Sequence, residues 1–379
     1  MPFDFGTAGR VVFGAGRSAE LAPIVAGLGS RALVCTGSDP GRHAALLAGL
    51  GVPHAVFPVA GEPTVEVARA AYAAARTHRA DVVVAIGGGS PIDVAKTVAM
   101  LLTNGGDPLE YLPLAGPARE IHHPALPCVA VPTTAGSGSE VTANAVLAVP
   151  EQRIKISLRS PLLLPAVALV DPVLAVGCPP SATAASGLDA LTQCLEPFVS
   201  PHANPVTDSL AREGLRRAGT ALRRAYADGT DLDARTGMAL CALLGGMALA
   251  NAKLGAVHGF AGVVGGLVDI PHGVACAALL VPVVEANIRA GAAPDRYAEA
   301  ARLLTGTPDA TVDDGVAWLR ETVGRLGVPT LDAFGLRAGH ASEVVAKAAR
   351  SSSMQGNPVV LDDAELHRIL AAATGPGAE

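Results

Sequence analysis

The first half of the chain alternates short β-branched runs with longer amphipathic ones. The runs RVVFGAG, RALVCTG, HAVFPV and DVVVAIGG are typical of buried strands, and VAVPTTAG and ALVDP extend the series. Stretches with helical periodicity, such as VEVARAAYAAARTH, separate these runs. Strands that alternate with helices in this way predict a Rossmann-like α/β domain, with a parallel sheet covered by helices on both faces.

The pattern changes after Pro172. From Ser181 onward helical periodicity dominates, as in SGLDALTQCLEPF and DRYAEAARLL, and strand patterns almost disappear. We therefore predict an α/β domain at residues 1–175 and an all-helical domain at residues 176–379. An uncharged stretch at residues 236–252 approaches the length of a membrane span, but its glycines favour a buried core helix.

Composition narrows the class of protein. Half of the 379 residues are hydrophobic and 16% are charged, which is enough apolar material for two cores. The net charge of −6 argues against nucleic acid and against anionic membrane surfaces as partners. The six cysteines are scattered without a CxxC pair, which is typical of reduced, buried thiols in a cytoplasmic protein. The opening segment MPFDFGTAGRVVFG has the pattern of an early strand rather than of a secretion signal.

A glycine-rich turn follows the strand at residues 82–86. It consists of Gly87, Gly88, Gly89 and Ser90. Glycines let the backbone approach a pyrophosphate closely, and the N–H groups of the following helix favour an anion. Ser90 and Asp93 also match a capping box at the start of that helix. A turn without a ligand would use the same residues, but three glycines after a continuous strand favour nucleotide binding here.

A second loop, in VAVPTTAGSGSEVT, is crowded with hydroxyl groups. Thr133, Thr134 and Ser137 are able to donate hydrogen bonds to phosphate or ribose oxygens. An ordinary Ser/Thr turn has the same composition, so this loop supports both interpretations equally. Lys155, in IKISLRSPLLLP, either approaches a nucleotide or lies on the surface.

Two apolar segments carry residue types that bind divalent metals. In SGLDALTQCLE, Asp189 and Gln193 are four residues apart, which places both on one face of a helix. In VHGFAGVVGGLVDIPHGVACA, His258 and His272 are each followed by glycine. If the two segments meet, these four side chains form a metal site. A lone buried histidine is usually a hydrogen-bonded core residue, but an unpaired Asp189 would be costly to bury, so a cation or strong donor is expected beside it.

Several motifs together resemble the iron-containing (group III) alcohol dehydrogenase family, which includes maleylacetate reductases. The resemblance spans nearly the whole chain, and it is carried in order by RVVFGAG, IGGGSPIDVAK, VPTTAGSGSEVT, KISLRSPLLLPAVALVDP, SGLDALTQCLEPFVSPHANPVTD, VHGFAGVVGG, PHGVACA and GNP. It implies a dinucleotide-binding domain, a helical metal and substrate domain, a cleft between them, and a homodimer. It also implies a small alcohol or aldehyde substrate. The implied NAD or NADP site consists of Gly87, Gly88, Gly89, Ser90, Asp93, Thr133, Thr134, Ser137 and Lys155.

The resemblance also implies a catalytic metal, iron or zinc, on Asp189, Gln193, His258 and His272. Gln193 stands where the family usually has a histidine ligand. Related glycerol dehydrogenases hold their metal with one aspartate and two histidines, so Asp189, His258 and His272 would suffice as ligands and as catalytic residues.

Two further departures from the family concern the nicotinamide cofactor. Gly262 stands where a histidine close to the nicotinamide usually lies. Gly37 replaces an aspartate that many relatives place on the ribose 2′-OH, and Arg42 or His43 would then pair with the 2′-phosphate of NADP.

The sequence thus predicts an NAD(P)-dependent alcohol dehydrogenase or an aldehyde or maleylacetate-type reductase. A dehydroquinate synthase-like lyase or cyclase with NAD and metal is one alternative, but few Lys and Arg residues lie near the predicted metal to hold a phosphate. A metal-free reductase, or a cofactor-binding protein with a degenerate metal site, is a second alternative, and Gln193 and Gly262 favour it.

Overall fold

The computed structural model describes residues 2–375 of the chain. These residues form two compact units. An α/β unit consists of residues 6–134 and 138–175. A helical unit consists of residues 2–5, 135–137 and 176–375.

The α/β unit is built on a six-stranded parallel sheet. Its strands are β1 (Arg10–Phe13), β2 (Ala32–Thr36), β3 (His54–Pro58), β4 (Val82–Gly87), β5 (Cys128–Pro132) and β8 (Val167–Val170). The order across the sheet is β1-β8-β5-β4-β2-β3, and each neighbouring pair is parallel. Each predicted strand is present, so the α/β prediction is confirmed.

Helices cover both faces of this sheet. The helices of the unit are α1 (Leu21–Ala26), α2 (Ala44–Ala48), α3 (Val65–His78), α4 (Gly89–Asn104) and α5 (Pro108–Tyr111). Leu33 and Cys35 of β2 pack with α3 and α4, whereas Val34 between them packs with α1 on the other face. Because both faces are buried, the central strands have continuous apolar sequences rather than an alternating pattern.

An antiparallel hairpin adds two strands that the sequence patterns did not predict. Its strands are β6 (Asn144–Val149) and β7 (Ile154–Arg159). Leu147 and Leu158 are buried in a hydrophobic cluster with residues of α3 and α4. The run NAVLAV alternates buried and half-buried residues, but it is short, and its small aliphatic residues suit a helix as well as a strand.

The second unit is helical, as predicted. Its helices are α6 (Pro180–Val199), α7 (Pro205–Ala227), α8 (Leu232–Ala252), α9 (Ala256–Leu267), α10 (His272–Arg289), α11 (Pro294–Thr305), α12 (Val312–Arg325), α13 (Ala341–Ala348) and α14 (Asp363–Thr374). One main hydrophobic core joins them. By length and composition alone α8 and α10 are apolar enough to cross a membrane, with 61% and 50% of their apolar windows buried within the protein. Both are core helices of this unit, which confirms the prediction for residues 236–252.

Candidate functional site

One face of α6 carries three buried polar side chains in an otherwise apolar helix. Asp189, Gln193 and Glu196 are each at most 5% exposed. Their spacing of four and then three residues places them above one another on one side of the helix. Two buried carboxylates are costly without partners, so the residues that face them determine the character of the site.

His258, in the first turn of α9, contacts both acids. Its Nδ1 atom lies 2.7 Å from Glu196 Oε2, and its Nε2 atom lies 3.2 Å from Asp189 Oδ1. The other Glu196 oxygen accepts a hydrogen bond from the backbone N–H of Val257 at 2.7 Å. Glu196 is therefore fixed at both oxygens, and it holds the His258 ring with Nε2 directed at Asp189.

The contact with Glu196 determines which atom of His258 faces Asp189. When the Nδ1 proton is donated to Glu196, a neutral ring directs the Nε2 lone pair at a carboxylate oxygen. Two acceptors at this distance repel each other unless a proton or a metal cation neutralises them. Burial by itself lowers the pKa of His258, but its electrostatic interactions with Cys276 and Glu196 and its hydrogen bond to Asp189 raise that pKa well above its ordinary value. The site thus favours a positive charge at this point.

His272 and Cys276 extend the cluster from α10. His272 is the first residue of this helix, and Cys276 follows one turn later. Cys276 Sγ lies 3.6 Å from His272 Nε2, and the ring centres of His272 and His258 are 5.4 Å apart. Ligand atoms of Asp189, His258, His272 and Cys276 all lie within 4.8 Å of one another. The structure therefore brings together three of the predicted metal residues and adds a cysteine.

A glycine allows the start of α10 to approach α6 closely. A Cβ atom added to Gly273 would lie 2.4 Å from the backbone oxygen of Ala185, which is one turn before Asp189. A residue with a side chain cannot make this contact without moving one of the helices. The glycine that follows His272 in the PHG motif therefore positions this histidine opposite Asp189.

Gln193, the fourth predicted metal residue, lies beside Asp189. Burial raises the pKa of Asp189, but hydrogen bonds from His258 and Gln193 and the charge of His272 hold that pKa below its ordinary value. The Oε1 atom of Gln193 is buried and has no hydrogen-bond partner within residues 2–375. A buried carbonyl oxygen normally has a donor or a cation beside it. This atom, together with the carboxylate, imidazole and sulfur donors, fits a divalent cation.

Two members of the site, Glu196 and Cys276, are absent from the sequence-based prediction. Cys276 follows His272 by four residues, the same helical spacing as that of Asp189 and Gln193. Glu196 follows Asp189 by seven residues in the same apolar helix, and this spacing also indicates a shared face. Both signals are visible in the sequence, but scattered cysteines were predicted to be inert thiols.

The glycine-rich turn of the α/β unit joins β4 to α4. Gly87 ends β4, and Gly88 is the extended N-cap residue of α4, with φ −76° and ψ −161°. The predicted capping box of Ser90 and Asp93 is wrong, because the helix begins one residue before Ser90. The Asp93 carboxylate is instead buried, and it accepts a hydrogen bond from the Val146 backbone N–H at 3.1 Å.

Three loops meet at the carboxyl edge of the sheet. A Cβ atom on Gly88 would lie 3.2 Å from Thr134 Oγ1, and one on Gly87 would lie 3.3 Å from the backbone nitrogen of Gly37. The Thr133 N–H donates to the Gly87 carbonyl oxygen at 2.9 Å. Gly37 directly follows β2, and Gly87 ends the neighbouring strand β4, where the order of strands reverses. In open α/β sheets this edge is the usual position of a ligand.

Two further predicted cofactor residues, Lys155 and Ser137, lie outside the glycine-rich turn. Lys155 lies on β7, where its Nζ atom pairs with Glu62 Oε2 at 2.5 Å and its side chain is 6% exposed. Its charge also acts on Asp93, another predicted cofactor residue. Burial raises the pKa of Asp93 to about 6, and the charges of Lys96 and Lys155 oppose this rise. Ser137 belongs to the short segment that groups with the helical unit.

The chain matches known proteins along most of its length. Residues 8–172 match the family model "Iron-containing alcohol dehydrogenase", and residues 183–374 match "Fe-containing alcohol dehydrogenase family, C-terminal". The 1,3-propanediol dehydrogenase of Klebsiella pneumoniae is 43% identical over 60% of this chain. That alignment covers 58% of the relative's own length, which is less than two thirds of it.

Solved structures resemble the whole chain. A 1,3-propanediol oxidoreductase has a TM-score of 0.91 and 34% identity, and the match covers 98% of this chain and 99% of that one. A sulfoacetaldehyde reductase from Bifidobacterium kashiwanohense, solved with NAD+, has a TM-score of 0.89 and 28% identity, with coverage of 99% and 100%. The two family models together account for both units, and the chain therefore belongs to the iron-containing alcohol dehydrogenase family.

Proposed function

We propose that this protein is an NAD(P)-dependent oxidoreductase that interconverts a small alcohol and its aldehyde or ketone. The observation that carries the proposal is the cluster of buried Asp189 and His258 with half-buried His272 in the helical unit. Membership of the family and the NAD+ complex of the sulfoacetaldehyde reductase support nicotinamide chemistry.

Asp189, His258 and His272 would hold a divalent metal, iron or zinc, and we propose them as the catalytic residues. When bound, the metal supplies a Lewis acid that polarises the carbonyl group of the substrate. The chain contributes the orientation of its donors. Glu196 accepts a hydrogen bond from the Nδ1–H group of His258, which leaves the Nε2 lone pair for the ligand role.

We assign dinucleotide binding to the α/β domain, residues 1–175, and metal and substrate binding to the helical domain, residues 176–379. The proposed cofactor residues are Gly87, Gly88, Gly89, Ser90, Asp93, Thr133, Thr134, Ser137 and Lys155. Gly37 directly follows β2 beside the glycine-rich turn and presents no carboxylate to repel a 2′-phosphate. We therefore propose that the protein accepts NADP as well as NAD, with Arg42 near enough in sequence to pair with the phosphate.

The proposed substrate is a short-chain alcohol or aldehyde. Two relatives of this chain carry names that refer to small substrates, 1,3-propanediol and sulfoacetaldehyde. The cysteines of the described chain are free thiols, which supports a cytoplasmic location. We propose a homodimer as the assembled form, on the family resemblance alone.

The test measures the metal content of the purified chain together with the oxidation of NADH and NADPH by a panel of small aldehydes. We expect about one iron or zinc ion per chain, and we expect both metal and activity to disappear in His272→Ala. His202→Ala, which removes an exposed histidine of the same unit, is the matched control and should keep both. A metal-free protein that binds nucleotide and reduces none of the aldehydes would contradict the proposal.

A further inference from the structure

We propose that the thiolate of Cys276 is the fourth protein donor to the metal, so that one carboxylate, two imidazoles and one sulfur hold the ion. This inference rests on the proposed function, because it concerns the same cluster. It places the fourth donor on α10, whereas the family resemblance places it at Gln193 on α6.

Two separations between donor atoms match the edges expected of a tetrahedron around a zinc-sized ion. Metal–nitrogen and metal–oxygen distances of about 2.0 Å and a metal–sulfur distance of about 2.3 Å put nitrogen and sulfur about 3.5 Å apart, and nitrogen and oxygen about 3.3 Å apart. The observed separations are 3.6 Å between His272 Nε2 and Cys276 Sγ and 3.2 Å between His258 Nε2 and Asp189 Oδ1. The ligand atoms of all four residues lie within 4.8 Å of one another, so short side-chain movements would let them share one ion.

The surroundings of Cys276 differ from those of other buried cysteines in the helical unit. Cys194 and Cys241 lie with their sulfur atoms 3.8 Å apart in the hydrophobic core, where each serves as a small apolar side chain. Cys276 is buried in the same core, but its sulfur atom also lies beside a carboxylate and two imidazoles. These polar neighbours are typical of a cysteine that binds a metal rather than of one that only fills space in the core.

Gln193 is better suited to orienting Asp189 than to closing the site. Its amide hydrogen-bonds the Asp189 carboxylate, which fixes the direction of a metal ligand. A neutral amide oxygen is also a weak donor, whereas a thiolate adds a negative charge. Asp189 and Cys276 together balance the two charges of a buried divalent ion, which lowers the cost of burying it. The buried Oε1 atom of Gln193 is the competing donor, and the experiment below separates the two.

A sulfur donor also determines which metals the site prefers. Zinc accepts mixed sulfur, nitrogen and oxygen ligands, whereas magnesium and manganese favour oxygen. We expect Zn²⁺, and Co²⁺ as its spectroscopic substitute, to bind more tightly than Mn²⁺ or Mg²⁺. Formation of the metal–sulfur bond displaces the thiol proton, which leaves to solvent.

The experiment uses the full-length chain, freed of metal and reloaded with Zn²⁺ or Co²⁺. We expect X-ray absorption to show one sulfur neighbour at about 2.3 Å from zinc, and the cobalt form to show a thiolate-to-metal charge-transfer band in the near ultraviolet. Both signatures should vanish in Cys276→Ala, with a loss of affinity beyond the roughly 10–100-fold typical of changes outside the ligand set. Cys276→Ser, which is nearly isosteric, should lose both signatures even if alanine disturbs folding.

Two further variants provide the controls. Cys178→Ala removes a half-buried cysteine of the helical unit that lies outside the cluster, and it should keep both signatures. Gln193→Ala should keep the sulfur neighbour and the charge-transfer band, because the sulfur remains bound.

The outcomes distinguish this inference from the function on which it rests. A zinc-loaded protein without a sulfur neighbour, or a charge-transfer band that survives in Cys276→Ala, would overturn the assignment of Cys276 and leave the proposed function in place. Failure of the natural chain to bind either ion would overturn both.

Discussion

The chemistry of the site depends on which atoms of a few buried side chains face one another. His258 illustrates this, because a histidine offers two different nitrogen atoms, and Glu196 determines which one faces Asp189. The same glutamate is held in place by the Val257 backbone N–H. Glu196 is not itself a proposed metal ligand, but it sets the orientation of His258, which is one.

Glu196→Gln should weaken metal binding although it leaves every proposed ligand in place. Its oxygen still accepts from the Val257 N–H, but its N–H group then faces the Nδ1 proton of His258. We expect metal affinity to fall by about 10–100-fold, measured by competition with a coloured chelator. Glu299→Gln, which removes a surface partner of Arg212, should leave the affinity unchanged. If Glu196→Gln binds metal as tightly as the natural chain does, the orientation of the His258 ring does not depend on this carboxylate.

Whether a residue of the site could be recognised from the sequence depends on how many roles its side chain commonly has in proteins. Asp189, His258 and His272 were identifiable as candidate metal ligands, because an acid and two glycine-flanked histidines are unusual in apolar segments. Cys276 was not identifiable in this way, because cysteine occurs both as a packed residue of hydrophobic cores and as a metal ligand. Only its neighbours decide between these roles, and they come from α6 and α9.

The packing of secondary structure elements provides the precision that the donors need. α10 reaches α6 where Gly273 faces the Ala185 carbonyl oxygen. The sequence identifies the glycine, but the partner helix becomes known only from the fold. The hairpin of β6 and β7 was missed for a related reason, since its pattern is short and its register depends on packing against α3 and α4.

Gly273→Ala should damage the metal site without altering a ligand. The added methyl group would lie 2.4 Å from the Ala185 oxygen, so α10 has to shift away from α6. We expect a loss of about 1–3 kcal/mol in the free energy of unfolding, together with weaker metal binding, in urea denaturation and metal titration.

Gly262→Ala provides the comparison for this variant. A Cβ atom at Gly262 of α9 meets no atom of the described residues within 4 Å, so alanine should be neutral or stabilise the helix by up to about 1 kcal/mol. Equal losses in the two variants would contradict a special role for the contact at Gly273.

A buried lysine ties α4 to the segment after β5. Lys96 Nζ donates to the Thr142 carbonyl oxygen at 2.8 Å, to Thr142 Oγ1 at 3.1 Å and to the Asn144 carbonyl oxygen at 2.8 Å. In the same segment burial raises the pKa of Glu140 to about 7, against the charge of Lys96. The helix that begins at the glycine-rich turn and the segment beside it are therefore held together by the hydrogen bonds of a buried lysine.

Glu140→Gln should remove a pH dependence of stability. The folded protein keeps the Glu140 proton up to about pH 7, whereas the unfolded chain loses it near the ordinary pKa of 4.5. The folded state binds more protons between these values, so the free energy of unfolding contributed by this group falls as the pH rises through them. The stability of the variant relative to the natural chain should increase by about 1–3 kcal/mol between about pH 5 and about pH 8.

The control for this experiment is Glu343→Gln, which removes an exposed partner of Lys347. Its difference from the natural chain should stay constant over the same range. Asp93, with a pKa raised to about 6 by burial, contributes a fall of the same sign, but it is present in all three proteins and cancels. A constant difference for Glu140→Gln would contradict a protonated Glu140 in the folded state.

For the whole molecule, the two-unit organisation was readable from the sequence because the periodicity changes abruptly after Pro172. The order of family motifs then led to the proposal that the α/β unit binds the dinucleotide and the helical unit binds the metal. The fourth metal donor was not readable in this way, because the resemblance points to position 193 and a departure at that position does not say which residue replaces it.

The two ligands should protect different parts of the molecule in hydrogen exchange. Zinc should slow amide exchange in α6, α9 and α10, and NADH should slow it at residues 87–90. An amide that exchanges by global unfolding should gain about 2.7 kcal/mol of protection at a ligand concentration one hundred times Kd. His272→Ala should lose the zinc effect and keep the NADH effect. Zinc protection confined to the α/β unit would contradict the proposed metal site.

The contact between His258 and Asp189 joins residues 69 positions apart in the chain. Closing a flexible loop of that length costs about 4 kcal/mol of chain entropy, and the unfolded polypeptide therefore holds these donors far from one another. The packing of α6, α9 and α10 closes this loop in the folded protein. A metal ion would therefore bind donors whose conformational entropy has already been lost on folding. We therefore expect metal insertion to follow the packing of these three helices rather than to direct it.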